Sequence, residues 1–556
     1  MERRSIHRCF GLAALLLLAG ALARSSFAAP EPLLLGDDDR ILVLAPHPSD
    51  ETLAAGGLIQ EALALDLPVR VCFFTMGDNN EIAALFTRRH PLLTPGATRA
   101  SGMLRRNEAL AAVTQLGLST NDVVFLGYPD SGTLDIWKHH WRTVPPYRSP
   151  LTRANTVPYD TALTPGSAYA GEDILDDLVD VLRDFRPTYL VLPQPADHNV
   201  DHRALYLFAR VALWNLEADG PAPEILSAPV HFTQWPESRR YQPDLPATPP
   251  SFLSSGIDWT SFALAPFQVS NKLAALRRHH SQFLRSSAYL QSLVRKTEIF
   301  GDFPDVDLPG GMGSSEIDEN DATQFHPDES LFRELAQEAD SWNEIAGQKA
   351  AETAALADFD NDIIHRSISG DGDGLTLSFR FRRPVSKPVG FSLRLFGYRS
   401  DVPFGEMPKI EILADTQAVL AVYDLLDKIP AAAVEHLPSA ENEIAVRVPF
   451  SLLGQPEKIL AGAMLAKGSL PIDEVPWRAI DLSGAPLRPA PVPHRETPSP
   501  APAAETAAPP PVVPPTPPAA VEKPAPPEMP ATLAPRVPLP RRSIPDKTEA
   551  NEPVQW

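Results

Sequence analysis

Residues 40–51 read RILVLAPHPSDE, an apolar run that stops at Pro46 and gives way to His47-Pro48-Ser49-Asp50-Glu51. An uninterrupted apolar strand is expected where both faces of a sheet are covered, as in parallel sheets flanked by helices. In such sheets ligands gather at the carboxyl ends of the strands, which is where this polar cluster begins. An imidazole and a carboxylate three residues apart, across a turn entering a helix, can converge on one cation. The same spacing also fits a plain helix start, with Asp50 or Ser49 as the N-cap and His47 in solvent.

Working outward, residues 50–64 have helical spacing, 69–75 (VRVCFFT) read as a second strand, and 101–117 as a helix closed by Gly117. Residues 123–127 (VVFLG) read as a third strand, 172–185 as a helix, 188–193 (TYLVLP) as a fourth strand, and 202–216 as an apolar helix. The alternation predicts an α/β fold, a Rossmann-like and mostly parallel sheet flanked by helices. Residues 129–171 carry few regular signals and are expected to form loops over the site. Directly after the fourth strand come Asp197, His198, Asn199, Asp201 and His202. Each cluster alone has a bland reading as a helix cap; two at equivalent strand ends are much less probable by accident. Imidazole and carboxylate without thiolate suit zinc in an open catalytic site.

These motifs resemble those of the PIG-L/LmbE-like zinc-dependent N-deacetylases, of the N-acetylglucosaminyl deacetylase type. The family's His-Pro-Asp-Asp-Glu is His47-Pro48-Ser49-Asp50-Glu51 here, followed by Thr52-Leu53-Ala54-Ala55-Gly56-Gly57. Its His-x-Asp-His is Asn199-Val200-Asp201-His202. Arg105-Arg106-Asn107-Glu108, Leu116-Gly117 and Phe125-Leu126-Gly127-Tyr128-Pro129-Asp130 also look like the family, so the resemblance covers about residues 40–300.

The resemblance implies one divalent metal, zinc or another such as iron, held by His47, Asp50 and His202, with water or substrate in the open position. It implies removal of an N-acetyl group from an N-acetylglucosamine-type amino sugar or glycoconjugate by metal-activated water. Asp201 is then expected to orient a neighbouring histidine. Arg105 is expected to contact substrate hydroxyls or phosphate, or else to pair with Glu108 on a helix surface. Two departures from the family matter. Ser49 stands where the family has its general-base aspartate, and a serine does not take up a proton at neutral pH. Asn199 replaces the first histidine of the second motif and can donate a hydrogen bond to an oxyanion. His198 or Glu51 is expected to supply the missing base. The alternatives are a noncatalytic exported glycan-binding protein that retains the fold, and an amidase using the same metal on a different amide.

The chain has 556 residues, too many for one core. Arg3, Arg4 and Arg8 precede an apolar run at 9–23 and small residues up to Ala29, which predicts a signal peptide over 1–29. The protein is therefore expected to be exported, as a periplasmic, cell-surface or secreted protein, with no membrane span beyond the signal. The deacetylase-like domain is expected over 36–300 and a loop and helical connector over 301–360. A separate antiparallel β-sandwich is expected over 361–483, where short alternating runs such as 375–381 (LTLSFRF) recur. Proline, with 61 residues in all, crowds the segment after Gly484, so 484–556 are expected to be a disordered tail.

A net charge of −21 argues against nucleic acid as a partner, and an amino-sugar or glycan substrate is the expected one. Cys9 and Cys72 alone exclude a disulfide framework and a cysteine-bound zinc. The cluster Arg277, Arg278, His279, His280, Ser281 and Gln282 reads as a solvated helical face, with a reach into the site as the alternative. Phe391, Phe396, Tyr398 and Phe404 read as strand-spaced core residues, with stacking on sugar rings as the alternative.

Overall fold

The computed structural model describes residues 30–79, 94–232, 235–253, 257–302, 304–319, 362–385, 389–467 and 470–483. The expected signal peptide, most of the connector and the proline-rich tail lie outside them. No helix among the described residues is long and apolar enough to cross a membrane.

After a two-residue strand, β1 (Glu31–Pro32), come β2 (Ile41–Ala45), helix α1 (Asp50–Ala64) and β3 (Val69–Thr75). Helix α2 (Pro95–Leu116), β4 (Val123–Tyr128), helix α3 (Thr133–His139), helix α4 (Gly171–Phe185) and β5 (Tyr189–Pro193) follow. Helix α5 (Val200–Asn215) leads to β6 (Glu224–Ala228). The five strands form a parallel sheet of order β4-β3-β2-β5-β6. All of β2 is buried, which is why its sequence is continuously apolar. Strand order reverses beside β2, whose neighbours are β3 on one side and β5 on the other. That reversal opens a crevice at the carboxyl ends of β2 and β5. The sequence puts its two polar clusters at those two ends.

Helix α1 is buried along most of its length and breaks its helical geometry at Ala55. The carboxylate of Glu298 enters at the break and accepts from Gly57 N at 2.7 Å and Leu58 N at 2.9 Å. Lys272 completes the arrangement, 2.6 Å from Glu298 and 2.9 Å from Leu53 O. Gly57 has to be a glycine, since a Cβ there would lie 2.4 Å from Leu264 Cγ.

Strand β7 (Asp258–Ala263), helix α6 (Pro266–Leu276), helix α7 (His280–Ser292) and β8 (Thr297–Asp302) come next, with β1, β7 and β8 forming a small second sheet. Then follow β9 (Val306–Asp307), β10 (Met312–Asp318), β11 (Ile363–Asp371), β12 (Gly374–Phe381), β13 (Val389–Tyr398) and β14 (Lys409–Ala414). The last strands are β15 (Val419–Asp424), β16 (Asp427–Ile429), β17 (Glu435–Leu437), β18 (Glu443–Pro449), β19 (Lys458–Lys467) and β20 (Leu470–Asp481). They make two sheets, β10-β11-β12-β18-β17 and β16-β15-β14-β13-β19-β20-β9, around one apolar core. Within these sheets every pairing is antiparallel except that of β9 with β20. Strands β9 and β10 lie in the stretch expected to be a connector and instead join the two sheets.

The larger sheet is covered on both faces. On β13, Phe391, Leu393 and Leu395 point into the sandwich core, while Phe396 and Tyr398 join the core of the α/β half. On β20, Trp477 and Ala479 also face the α/β half. A register shift opposite Ala461–Ala463 lets Val475 and Ile480, of opposite parity, both stay in the sandwich core. The aromatic residues singled out in the sequence are therefore packing residues, all buried.

Candidate metal centre

Strand β2 ends in a turn that places His47 and Asp50 in the crevice. Asp50 Oδ2 accepts from His47 N at 3.0 Å and lies 3.1 Å from His47 Nδ1. Strand β5 ends in a second turn, where Asn199 Oδ1 accepts from Asp201 N at 2.8 Å and caps α5. The first turn of α5 then brings His202 Nε2 to 3.0 Å from Asp50 Oδ2. His47, Asp50 and His202, implied by the family resemblance, thus converge. His47 is buried rather than solvated, at 6 % exposure.

A fourth residue joins them. His231, just beyond β6, puts Nε2 3.3 Å from Asp50 Oδ1, and its ring meets that of His202 edge-on at 4.6 Å. One ligand atom from each of His47, Asp50, His202 and His231 falls within 4.8 Å of the others. The sequence reading missed His231. It lies just past the end of a third strand of the same sheet, β6, whose sequence EILSA is too weakly apolar to mark it.

The outward nitrogens are held as well. Asp201 Oδ2 lies 3.0 Å from His47 Nε2, and Asp197 Oδ2 lies 3.1 Å from His202 Nδ1. Asp197 also accepts from His231 N at 2.9 Å. Tyr289 Oη sits 3.4 Å from His231 Nδ1. A proton kept on each outward nitrogen leaves the inward lone pair for a cation, the carboxylate–histidine arrangement that orients metal ligands. Asp201 is fixed in turn by Ser131 N at 2.6 Å and Thr133 Oγ1 at 2.5 Å. Asp201 faces His47 across the crevice, while Asp197 faces His202.

Charge in the cluster is strongly coupled. Burial disfavours protonated His47, but Asp130, Asp201 and Asp50 outweigh it and hold its pKa well above the ordinary imidazole value. Burial likewise opposes protonation of His202, yet Asp197 and Asp50 raise it to about 9. Asp50, although buried, is held well below the usual carboxylate range by His202, His231 and His47. Asp130, 3.6 Å from His47 Nε2, is drawn down to about 2 by His47 and Arg105 against the effect of burial. Four carboxylates around three imidazoles form a site with affinity for added positive charge, and the donors fit a divalent cation.

The other residues singled out in the sequence are placed as follows. Glu51 is fully buried and faces its own surroundings, accepting from Ser49 N at 2.9 Å and Thr52 Oγ1 at 2.6 Å and meeting His279 Nε2 at 3.0 Å. Three donors thus converge on that carboxylate and anchor it. Arg105 is buried, at 5 % exposure, and binds Gly77 O at 2.6 Å and Pro48 O at 3.1 Å, so it braces the motif loop. Gly77, at φ 67°, leaves the room for it, since a Cβ there would lie 2.1 Å from Nη1. Glu108 binds Ser281 through N at 2.9 Å and Oγ at 2.6 Å, not Arg105. Asn199 uses its side-chain oxygen as the helix cap. The ring of His198 packs edge-on against Phe232 at 5.5 Å, outside the converging group.

Ser49 occupies the left-handed region at φ 112° and is buried, with Oγ donating to Gln282 Oε1 at 3.1 Å. Gln282 Nε2 donates to Pro48 O at 2.5 Å. Half of the polar cluster at 277–282 therefore faces inward: fully buried His279 meets Glu51, Gln282 meets Ser49 and Pro48, and Ser281 binds Glu108 of α2. Arg277, Arg278 and His280 are the exposed half.

Residues 42–213 match the family described as PIG-L, GlcNAc-PI de-N-acetylase. No curated protein matches the chain. Among solved structures it is similar to the 4-carboxy-2-hydroxymuconate hydratase from Pseudomonas putida KT2440, at 20 % identity and a TM-score of 0.31, over 48 % of this chain and 98 % of that one. The N,N'-diacetylchitobiose deacetylase from Pyrococcus horikoshii is 16 % identical with a TM-score of 0.29, over 48 % and 84 %. The A40926 pseudoaglycone deacetylase is 17 % identical with a TM-score of 0.31, over 47 % and 96 %.

Proposed function

We propose, taking the PIG-L domain at residues 42–213 as the premise, that this chain is an exported metal-dependent N-deacetylase that converts an N-acetylglucosamine-type group to the free amine and acetate. The observation that carries this reading is the convergence of His47, Asp50 and His202, with each outward histidine nitrogen set against a carboxylate. A divalent cation bound there supplies Lewis-acid polarisation of an amide carbonyl and acidifies a water. His47, Asp50, His202 and His231 would hold the cation, Asp201 and Asp197 keep His47 and His202 in the ligating tautomer, and Arg105 keeps the loop of Pro48 in place. Zinc suits these nitrogen and oxygen donors, and iron is compatible with them.

One observation favours a second reading, a noncatalytic glycan-binding protein on the same fold. Where the family carries a carboxylate base, Ser49 is paired with Gln282, and the adjacent Glu51 is locked. Loss of a general base costs about 10²–10⁴-fold, which leaves a slow enzyme. Acetate release from a panel of N-acetylglucosamine conjugates, by zinc-loaded parent and by Ser49→Asp, separates the two. Release by the parent, lost in His47→Ala, supports the deacetylase; release by Ser49→Asp alone supports the noncatalytic reading. Export follows from Arg3, Arg4 and Arg8 before the apolar run at 9–23, and a mature N-terminus near residue 30 is the expected result of N-terminal sequencing.

A further inference from the structure

Glu474, on β20 of the sandwich, touches two helices of the α/β half. Oε1 meets Lys138 Nζ of α3 at 2.9 Å and Oε2 meets Arg203 Nη1 of α5 at 2.7 Å, with all three side chains 12 % exposed. Burial opposes ionisation of Glu474, but Arg203 and Lys138 keep it charged, with a pKa of about 2. Both helices lead to the metal centre. Arg203 follows His202 directly. Helix α3 begins at Thr133, which with Ser131 fixes Asp201, and Asp201 lies 3.0 Å from His47 Nε2. Between Thr133 and Lys138, Trp137 is fully buried and boxed by the sandwich: Phe404 stacks on it at 5.5 Å, with Phe396 at 5.5 Å and Trp477 at 6.0 Å. Helix α3 is thus seated on the sandwich along one side and grips Asp201 at its start.

We propose that Glu474 is a positioning residue for the metal centre, tying α3 to α5 so that Ser131 and Thr133 hold Asp201 against His47. The inference rests on the metal reading above and adds that the sandwich is part of the site's scaffold. Outer carboxylates and the groups that fix them tune ligand geometry, and their loss typically weakens metal binding about 10–100-fold. If Glu474 acts through Asp201, the two substitutions cannot add.

The test is zinc affinity of the full chain, by competition with a chromogenic chelator, for the parent, Glu474→Gln, Asp201→Asn and the double variant, with circular dichroism to check the fold. Glu474→Gln is expected to keep the parent spectrum and bind zinc about 10-fold or more weakly, and the double variant to bind no more weakly than Asp201→Asn. Lys138→Met, which breaks one arm of the tie, is read the same way if Glu474→Gln does not fold. Equal affinity in parent and variant, or additive losses in the double variant, overturns the inference and leaves the metal reading standing. A parent that binds no zinc overturns both.

Discussion

At the junction of the two halves one carboxylate, Glu474, meets two cations, Lys138 and Arg203. At the ends of β2 and β5, four carboxylates (Asp50, Asp130, Asp197 and Asp201) crowd around three imidazoles. Both clusters are buried, so both carry a desolvation cost, and they meet it differently. The junction closes on itself, with each carboxylate oxygen matched to a cation. The crevice does not: His47 and His202 are pulled upward and Asp50 and Asp130 downward, and the ligating atoms of His47, Asp50, His202 and His231 face one another. A closed ionic cluster fixes the relative position of elements. An open one, with donors aimed at a common point, is arranged for an ion from outside.

The sharpest break of this comparison is removal of an inward ligand. His202→Ala should lower acetate release by at least about 10³-fold, since the Lewis acid leaves with it; retention of more than a tenth of the parent rate would place the chemistry elsewhere. Next comes Asp197→Asn, which keeps the shape but not the charge beside His202 Nδ1. Zinc should bind about 10–100-fold more weakly, by chelator competition, with the fold unchanged.

A third prediction concerns Asp78, at the edge of the crevice. Burial and the neighbouring Asp130 raise its carboxyl from 3.8 to about 7, opposed by the hydrogen bond from Tyr159. A carboxyl raised by folding adds stability only while protonated: fully below 3.8, and none once pH passes about 7. Between about pH 4 and pH 8 the parent should therefore lose on the order of 1–3 kcal/mol relative to Asp78→Asn, by urea denaturation at both pH values. A difference independent of pH would show that Asp78 is ionised in the fold. The smallest effect is expected at the junction's rim, where Arg142 meets Asp424 with a quarter of the arginine exposed. Arg142→Ala should cost less than about 1 kcal/mol, and a larger loss in thermal denaturation would erase the distinction between rim and buried tie.

The legibility of these parts in the sequence follows from their physics. His47, Asp50 and His202 could be read because β2 and β5 are strongly apolar strands whose ends are marked by abrupt polarity. His231 follows β6, whose sequence EILSA is a weak strand signal, so nothing marked it as a strand-end residue. Helix α3 falls in the stretch expected to form loops because it has seven residues and a glycine at its N-cap with no side-chain cap bond. The partners of Glu51, Arg105 and Asn199 were not legible for a common reason: spacing shows which residues are near a motif, while side-chain direction is set by tertiary partners such as His279 and Gly77. The sandwich strands were visible by alternation, yet the adjacent Leu395 and Phe396 already carried the further message that both faces of β13 are covered.

The most direct test of the central claim is calorimetric zinc titration of the full chain at neutral pH, for the parent and His202→Ala. The account predicts one zinc ion per chain in the parent and no saturable binding in the variant. A parent that takes up no zinc, or a variant that binds it equally well, would contradict the assignment of this crevice as a metal centre.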